Sequence, residues 1–225
     1  MRPILEPYVT RLPDGGWVQL RALAPEDRDA IRAGLAKLGE RSIHERFLSP
    51  NYRPSEKDLE YLTTLDQHEH IALALGTLDD PPHGIGVARC VRSELNADTA
   101  EYAIVISDDY HNRGAGKLLL AHLAELAYSQ GIRYFQGFQL LENTKIIGLT
   151  ERIGTLEKKS LIEPGVVETR WKLIPEKFSE HLGARLEPTT GWKAQLRWFA
   201  SRLGLSSRGG RGTSSNTNSS GSSSA

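Results

Sequence analysis

The stretch DDYHNRGAGKLLLAHLAELA, residues 108–127, constrains this chain more than any other. A β-rich run, AEYAIVIS (100–107), leads into a polar loop with two glycines. The loop turns directly into a helical pattern with Leu119, Leu120, Leu123 and Leu126 on one stripe, and Gly131 stops it. Strand, glycine loop and helix in immediate succession put a helix N-terminus at the end of a strand. Its unpaired N–H groups and its dipole both favour an anion. Gly114 and Gly116 let such a guest approach the backbone without a Cβ in the way, and Arg113 and Lys117 add positive charge. A diphosphate suits the loop; a plain turn into a helix is the competing reading and needs only one glycine.

Two familiar phosphate loops do not fit. The P-loop pattern, G-x-x-x-x-G-K-[ST], would require a glycine at His111 and a hydroxyl residue at Leu118. The dinucleotide pattern, G-x-G-x-x-G, would require a glycine at Leu119.

The rest of the chain alternates strand and helix patterns. WVQLRAL (17–23), HIALALGT (70–77), IGVARCVR (85–92), AEYAIVIS and IRYFQGFQL (132–140) read as strands. TLEKKSLI and VVETRWKLI form a hairpin about Glu163-Pro164-Gly165. APEDRDAIRAGLAKLG (24–39) reads as a helix with Pro25 in its first turn and Gly39 at its end. SEKDLEYLTTLD begins a second helix with a Ser55–Asp58 capping pair, and NTKIIGLTERIG (143–154) makes a short one. The order β-α-α-β-β-β-α-β-α-β-β, rich in hairpins, predicts a mixed, mostly antiparallel sheet flanked by helices. GWKAQLRWFASRLG (191–204) is amphipathic, suited to packing on a domain or lying on a membrane surface. Residues 205–225 are mostly Ser, Gly and Asn and predict a disordered tail, solvated or serving as a basic arm through Arg208 and Arg211. The expected organisation is an N-terminal segment (1–16), one α/β domain (17–175), a helical extension (176–204) and the tail.

Of the 225 residues, 28 are basic and 28 acidic, so no global field selects nucleic acid or an anionic membrane. The N-terminus lacks a signal-peptide apolar block, and no apolar run nears the roughly 20 residues of a membrane helix. The lone Cys90 allows no internal disulfide, and a cytoplasmic location is expected. Cys90 lies within a strand pattern and reads as a buried apolar residue rather than a nucleophile. His68-Glu69-His70 has no third ligand at a sensible spacing, so no metal is expected.

The loop and its flanks resemble the GNAT acetyltransferases. HNRGAG (111–116) matches the acetyl-CoA signature Q/R-x-x-G-x-G/A of that superfamily at Gly114 and Gly116, and departs from it at His111. The similarity runs over residues 17–175 through VQLRALAPEDRDAIRAGLAKLGERSIHERFLSP, YLTTLDQHEHIALALG, GIGVARCVR and LLENTKIIGLTERIG. Its pattern is similar to the acetyltransferase domain of bacterial protein lysine acetyltransferases. The resemblance implies acetyl-CoA as cosubstrate, held by His111, Asn112, Arg113, Gly114, Ala115, Gly116 and Lys117. It also implies that the backbone of Ile104, Val105 and Ile106 binds the pantetheine arm and polarises the thioester carbonyl. Asn143 stands where the family often contacts the cofactor, and equally suits a helix N-cap.

An amine nucleophile must lose a proton, and a lysine with a pKa of about 10.4 needs a base near neutral pH. Glu101, Ala103, Val105 and Ser107 share one strand face. Partial burial of Glu101 there would make its carboxylate a better base. The lysine acetyltransferases carry their catalytic glutamate on this strand, which assigns Glu101 as base; a surface ion pair is the alternative. Many GNAT enzymes place a general-acid tyrosine near Thr150, and none occurs there. A thiolate leaves readily at a thiol pKa of about 8.5, so the acid is dispensable. The expected activity is transfer of acetyl to a protein lysine in a ternary complex. A small amine acceptor and a non-catalytic acyl-CoA-binding module are the alternatives.

Overall fold

The computed structural model describes residues 7–79 and 82–184. Eight strands make one sheet: β1 (Tyr8–Arg11), β2 (Trp17–Ala22), β3 (His70–Thr77), β4 (Gly84–Arg92), β5 (Thr99–Ile106), β6 (Tyr134–Leu140), β7 (Gly154–Glu163) and β8 (Val166–Leu173). Their order is β1-β2-β3-β4-β5-β6-β8-β7. Every neighbouring pair is antiparallel except β5 and β6. The helices are α1 (Arg28–Lys37), α2 (Glu40–Phe47), α3 (Glu56–Thr63), α4 (Ala115–Ser129), α5 (Thr144–Thr150) and α6 (Pro175–Ser179). The mixed sheet expected from the sequence is therefore present.

Three elements differ from the sequence reading. β1 lies within the segment set apart as residues 1–16 and pairs along its length with β2. Four residues ending at a turn about Gly15 are too short to show a period. The helix expected over 24–39 stops at Leu38, which is extended, and α2 restarts after Gly39. Only Ile43 is buried on α2, so its apolar signal is slight. The capping box of α3 forms as expected, with Asp58 N–H donating to Ser55 Oγ at 3.2 Å and Ser55 N–H to Asp58 Oδ2 at 2.8 Å. The amphipathic segment 191–204 and the tail lie outside the described residues.

The core sits on α4. Leu118, Leu119, Leu120, Ala121, Leu123, Ala124, Leu126 and Ala127 are all buried, so the helix is apolar nearly all round. α4 packs on β3, β4 and β5, and α6 covers another side. That second cover is why its apolar surface is wider than the single leucine stripe. Among the described residues no helix is long and apolar enough to cross a membrane.

Candidate active site

The sheet opens between its parallel strands. β5 pairs with β6 only at Thr99–Glu101 against Tyr134–Gln136. β4 nevertheless follows β5 to Ile106, and β8 follows β6 to Leu140. Past Glu101 the two strands diverge. Two bonds fix the phase of β5: Ser93 N–H to Thr99 O and Ser107 N–H to Ile85 O, each joining an odd-numbered β5-side residue to β4. By alternation the main chain of Ile104 and Ile106 faces the gap, while that of Val105 is directed to β4. Of the three residues expected to polarise a carbonyl, Ile104 and Ile106 thus offer N–H groups that β6 does not engage.

The glycine loop stands at the open end of this gap. Asn112 (φ 59°) and Gly114 (φ 89°) are left-handed, so the chain reverses twice before α4 begins at Ala115. The first helical bond of α4 runs from Leu118 N–H to Gly114 O. The N–H groups of Ala115, Gly116 and Lys117 are consequently left for a guest. Gly114 serves backbone geometry: a Cβ there would meet Pro13 Cδ at 2.7 Å. Gly116 serves space: it faces Leu149 and Ile106, with a Cβ at ordinary contact distances of 3.4 and 3.6 Å.

His111, the position departing from the family signature, donates from Nε2 to Ile106 O at 3.0 Å. It therefore satisfies a carbonyl that the strand divergence leaves open and closes the loop onto β5. Arg113 binds Asp14 (Nε to Oδ2, 2.5 Å) and stacks over Tyr110. The Arg113 guanidinium and its gap-distal loop are thus held by the β1–β2 turn, and no carboxylate among the described residues pairs with Lys117. Asn143 caps α5, accepting from Ile146 N–H at 3.3 Å, and lines the same cavity. Both readings of Asn143 are geometrically compatible.

One cavity of about 1010 Å³ joins these parts. It takes in Glu101, Ile104 to Ile106, His111 to Gly114, Gly116, Lys117 and Asn143; Ala115 is buried behind the loop. Glu101 is exposed at the α2 side, so the partial burial expected for it is not found. The sheet face carrying it is open where the strands part, and its charged neighbour is Arg46 of α2.

Two contacts beside the site left no recognisable mark in the sequence. Asp108, just past β5, accepts from Gly39 N–H (2.9 Å) and Ser42 Oγ (2.6 Å), anchoring the N-terminus of α2 beside the loop. Burial alone would raise its pKa; the bonds from Ser42 and Gly39 outweigh that and hold it below the usual carboxylate value. Tyr102 points to the opposite face from Glu101. Its ring stacks on Phe135 and lies over Gly137, where a Cβ would come within 2.6 Å of Cε1. Its hydroxyl bonds Thr150 Oγ1 at 2.8 Å, and Thr150 in turn donates to Ile146 O. A phenol from β5 thus lies beside Thr150, but it is buried in the core on the face away from Glu101. Burial pushes that phenol up to about 12. Cys90 is fully buried, and burial pushes its thiol up to about 12 as well.

A mixed sheet parted between its two parallel strands, with a glycine loop and an open helix N-terminus at the mouth, defines an acyltransferase fold. The chain belongs to the acetyltransferase (GNAT) family, whose model matches residues 40–155, about half of the chain. It is 31% identical over 138 residues to acetyltransferase Pat of Mycolicibacterium smegmatis, covering 59% of this chain and 40% of that protein. It is 31% identical over 127 residues to acetyltransferase PA5475 of Pseudomonas aeruginosa, covering 56% of this chain and 68% of that one. Among solved structures, the GNAT domain of S. lividans PAT superposes with a TM-score of 0.66 at 27% identity, covering 74% of this chain and 97% of that domain. The chain therefore spans less than half the length of the M. smegmatis relative.

Proposed function

We propose that this protein transfers an acetyl group from acetyl-CoA to an amine, with a protein lysine as acceptor. The observation that carries the reading is the parting of β5 from β6 beside Glu101, with the Ile104 and Ile106 amides open to the gap and the α4 N-terminus at its mouth. The residues fit the cosubstrate. The amides of Ala115, Gly116 and Lys117 suit its diphosphate, and the open edge of β5 suits the amide groups of a pantetheine arm. Acetyl-CoA, when bound, supplies the acetyl group as a thioester.

The chain's own groups then have separable tasks. Glu101, at the α2 side of the gap, accepts the proton that an approaching ammonium must lose. The Ile104 amide donates to the carbonyl oxygen as negative charge develops there. His111 holds the Ile106 carbonyl, keeping that edge of β5 from folding back on itself. Names and fold of the relatives support a protein-lysine acceptor, since two of them are Pat-type acetyltransferases.

The test has two arms. Acetyl-CoA should raise the melting temperature of the wild-type protein, and Glu101→Gln should retain that rise. Mass spectrometry of lysates incubated with labelled acetyl-CoA should find labelled lysines with wild type and at least about a hundredfold less with Glu101→Gln, in the range general bases contribute. No thermal shift refutes the cosubstrate, and an unchanged transfer rate refutes Glu101 as base.

A further inference from the structure

Arg46 has no role in the mechanism above, yet it stands in the active-site wall. It occupies the last turn of α2, lines the same cavity as Glu101 and is half-buried. Among the described residues no hydrogen bond or ion pair reaches its guanidinium, which lies 4.7 Å from the centre of the Phe47 ring. Phe47 is itself stacked on Tyr52 with centres 3.9 Å apart. The aromatic pair gives Arg46 a flat, apolar backing and leaves the donor edge of the guanidinium without an acceptor.

The surrounding charges do not answer it. Glu45, the acidic neighbour on α2, is taken by Arg41 at 2.8 Å. Glu101 acts on Arg46 through space but makes no ion pair with it within 4.0 Å. Arg89 of β4 adds a second buried positive charge to the same region; its donors go to Leu62 O at 2.5 Å and His70 Nε2 at 3.2 Å. Burial lowers Arg46 from its usual value, with Glu101 acting the other way, and Arg89 is lowered to about 10 by burial and by Arg46. Two desolvated guanidiniums against one exposed carboxylate leave a net positive wall beside the proposed base. A buried charge without a partner is costly, and a carboxylate is the acceptor whose two oxygens match a guanidinium fork.

We propose that Arg46 is a specificity-determining residue that binds a carboxylate on the acceptor, selecting a lysine with an acidic side chain close to it in sequence. The amine then meets Glu101 while the neighbouring carboxylate meets Arg46. The inference rests on the protein-lysine reading and deepens it.

Binding and transfer separate the two. The protein with saturating coenzyme A is titrated by calorimetry with two peptides identical except for glutamate or glutamine next to a single lysine. Free lysine and cadaverine form a second pair, distinguishing a side-chain carboxylate from that of a small amino acid. The glutamate peptide should bind at least about tenfold more tightly, the lower end for a charge-assisted bond. Arg46→Gln should collapse that ratio to near one, and Arg46→Lys should restore only part of it because an ammonium lacks the fork. Equal affinity of the two peptides for wild type, a ratio that survives Arg46→Gln, or no binding of the glutamate peptide at millimolar concentration overturns the proposal. A lysine–cadaverine difference without a peptide difference overturns the peptide source. Tight binding without transfer from acetyl-CoA counts against the catalytic reading and leaves the Arg46 site standing.

Discussion

Gly114 and Gly116 are only two residues apart, and the structure gives them different work. Gly114 sits at the start of α4 with φ 89° and ψ −6°, and a Cβ there would lie 2.7 Å from Pro13 Cδ and 2.8 Å from Cγ. An alanine pays about 1–2 kcal/mol for the left-handed conformation, and Pro13 must also move. Pro13 precedes Asp14, whose carboxylate holds Arg113, so the shift loosens that pair too. We expect Gly114→Ala to destabilise the free protein by about 2 kcal/mol, lowering Tm by about 4–8 °C for a domain of this size. Gly116 is helical, with only Leu149 and Ile106 at van der Waals distance. Gly116→Ala should leave Tm unchanged or raise it, since alanine is favoured over glycine in a helix by up to about 1 kcal/mol. Its methyl group would rest against Leu149 and Ile106 at 3.4 and 3.6 Å, and the signature admits alanine at this position, so the Tm rise on adding acetyl-CoA should persist. Differential scanning fluorimetry with and without acetyl-CoA measures both effects. The reasoning is refuted if Gly114→Ala melts with wild type, or if Gly116→Ala loses as much free-protein stability as Gly114→Ala.

Two further predictions concern groups away from the loop. His70 is lowered to about 4, first by burial and then by Arg89, and its Nε2 accepts from Arg89. Between pH 6.5 and about 4 the unfolded chain binds a proton that the native state excludes, so stability falls as pH drops through that window. His70→Gln should flatten this part of the curve in urea titrations at stepped pH; an identical slope would show that His70 does not carry it. Tyr102→Phe removes the bond to Thr150 and should cost about 1 kcal/mol, or about 2–4 °C in Tm. A double-mutant cycle with Thr150→Val should return a similar coupling energy; a value of zero would mean the two hydroxyls act independently.

What was readable in the sequence was local. Each strand from β2 onward announced itself by alternation and turn residues, and α3 by the Ser55–Asp58 pair. Gly114 and Gly116 pointed to an anion loop because backbone freedom depends on the residue itself. α2 was hidden because a helix with one buried residue carries little period, and β1 because four residues carry none. The strand position of Glu101 was legible, yet its exposure was not, because that depends on how far β6 follows β5.

The chain by itself determined most of the elements, their order and the glycine loop, since propensity, periodicity and φ preference act within a few residues. Only the tertiary structure decided where β5 and β6 part, which amides are thereby left open, and that Asp108 anchors α2 next to the loop. It also set Arg46 beside Glu101 across 55 positions of sequence. Those outcomes depend on which distant segments meet, and no local pattern encodes a meeting.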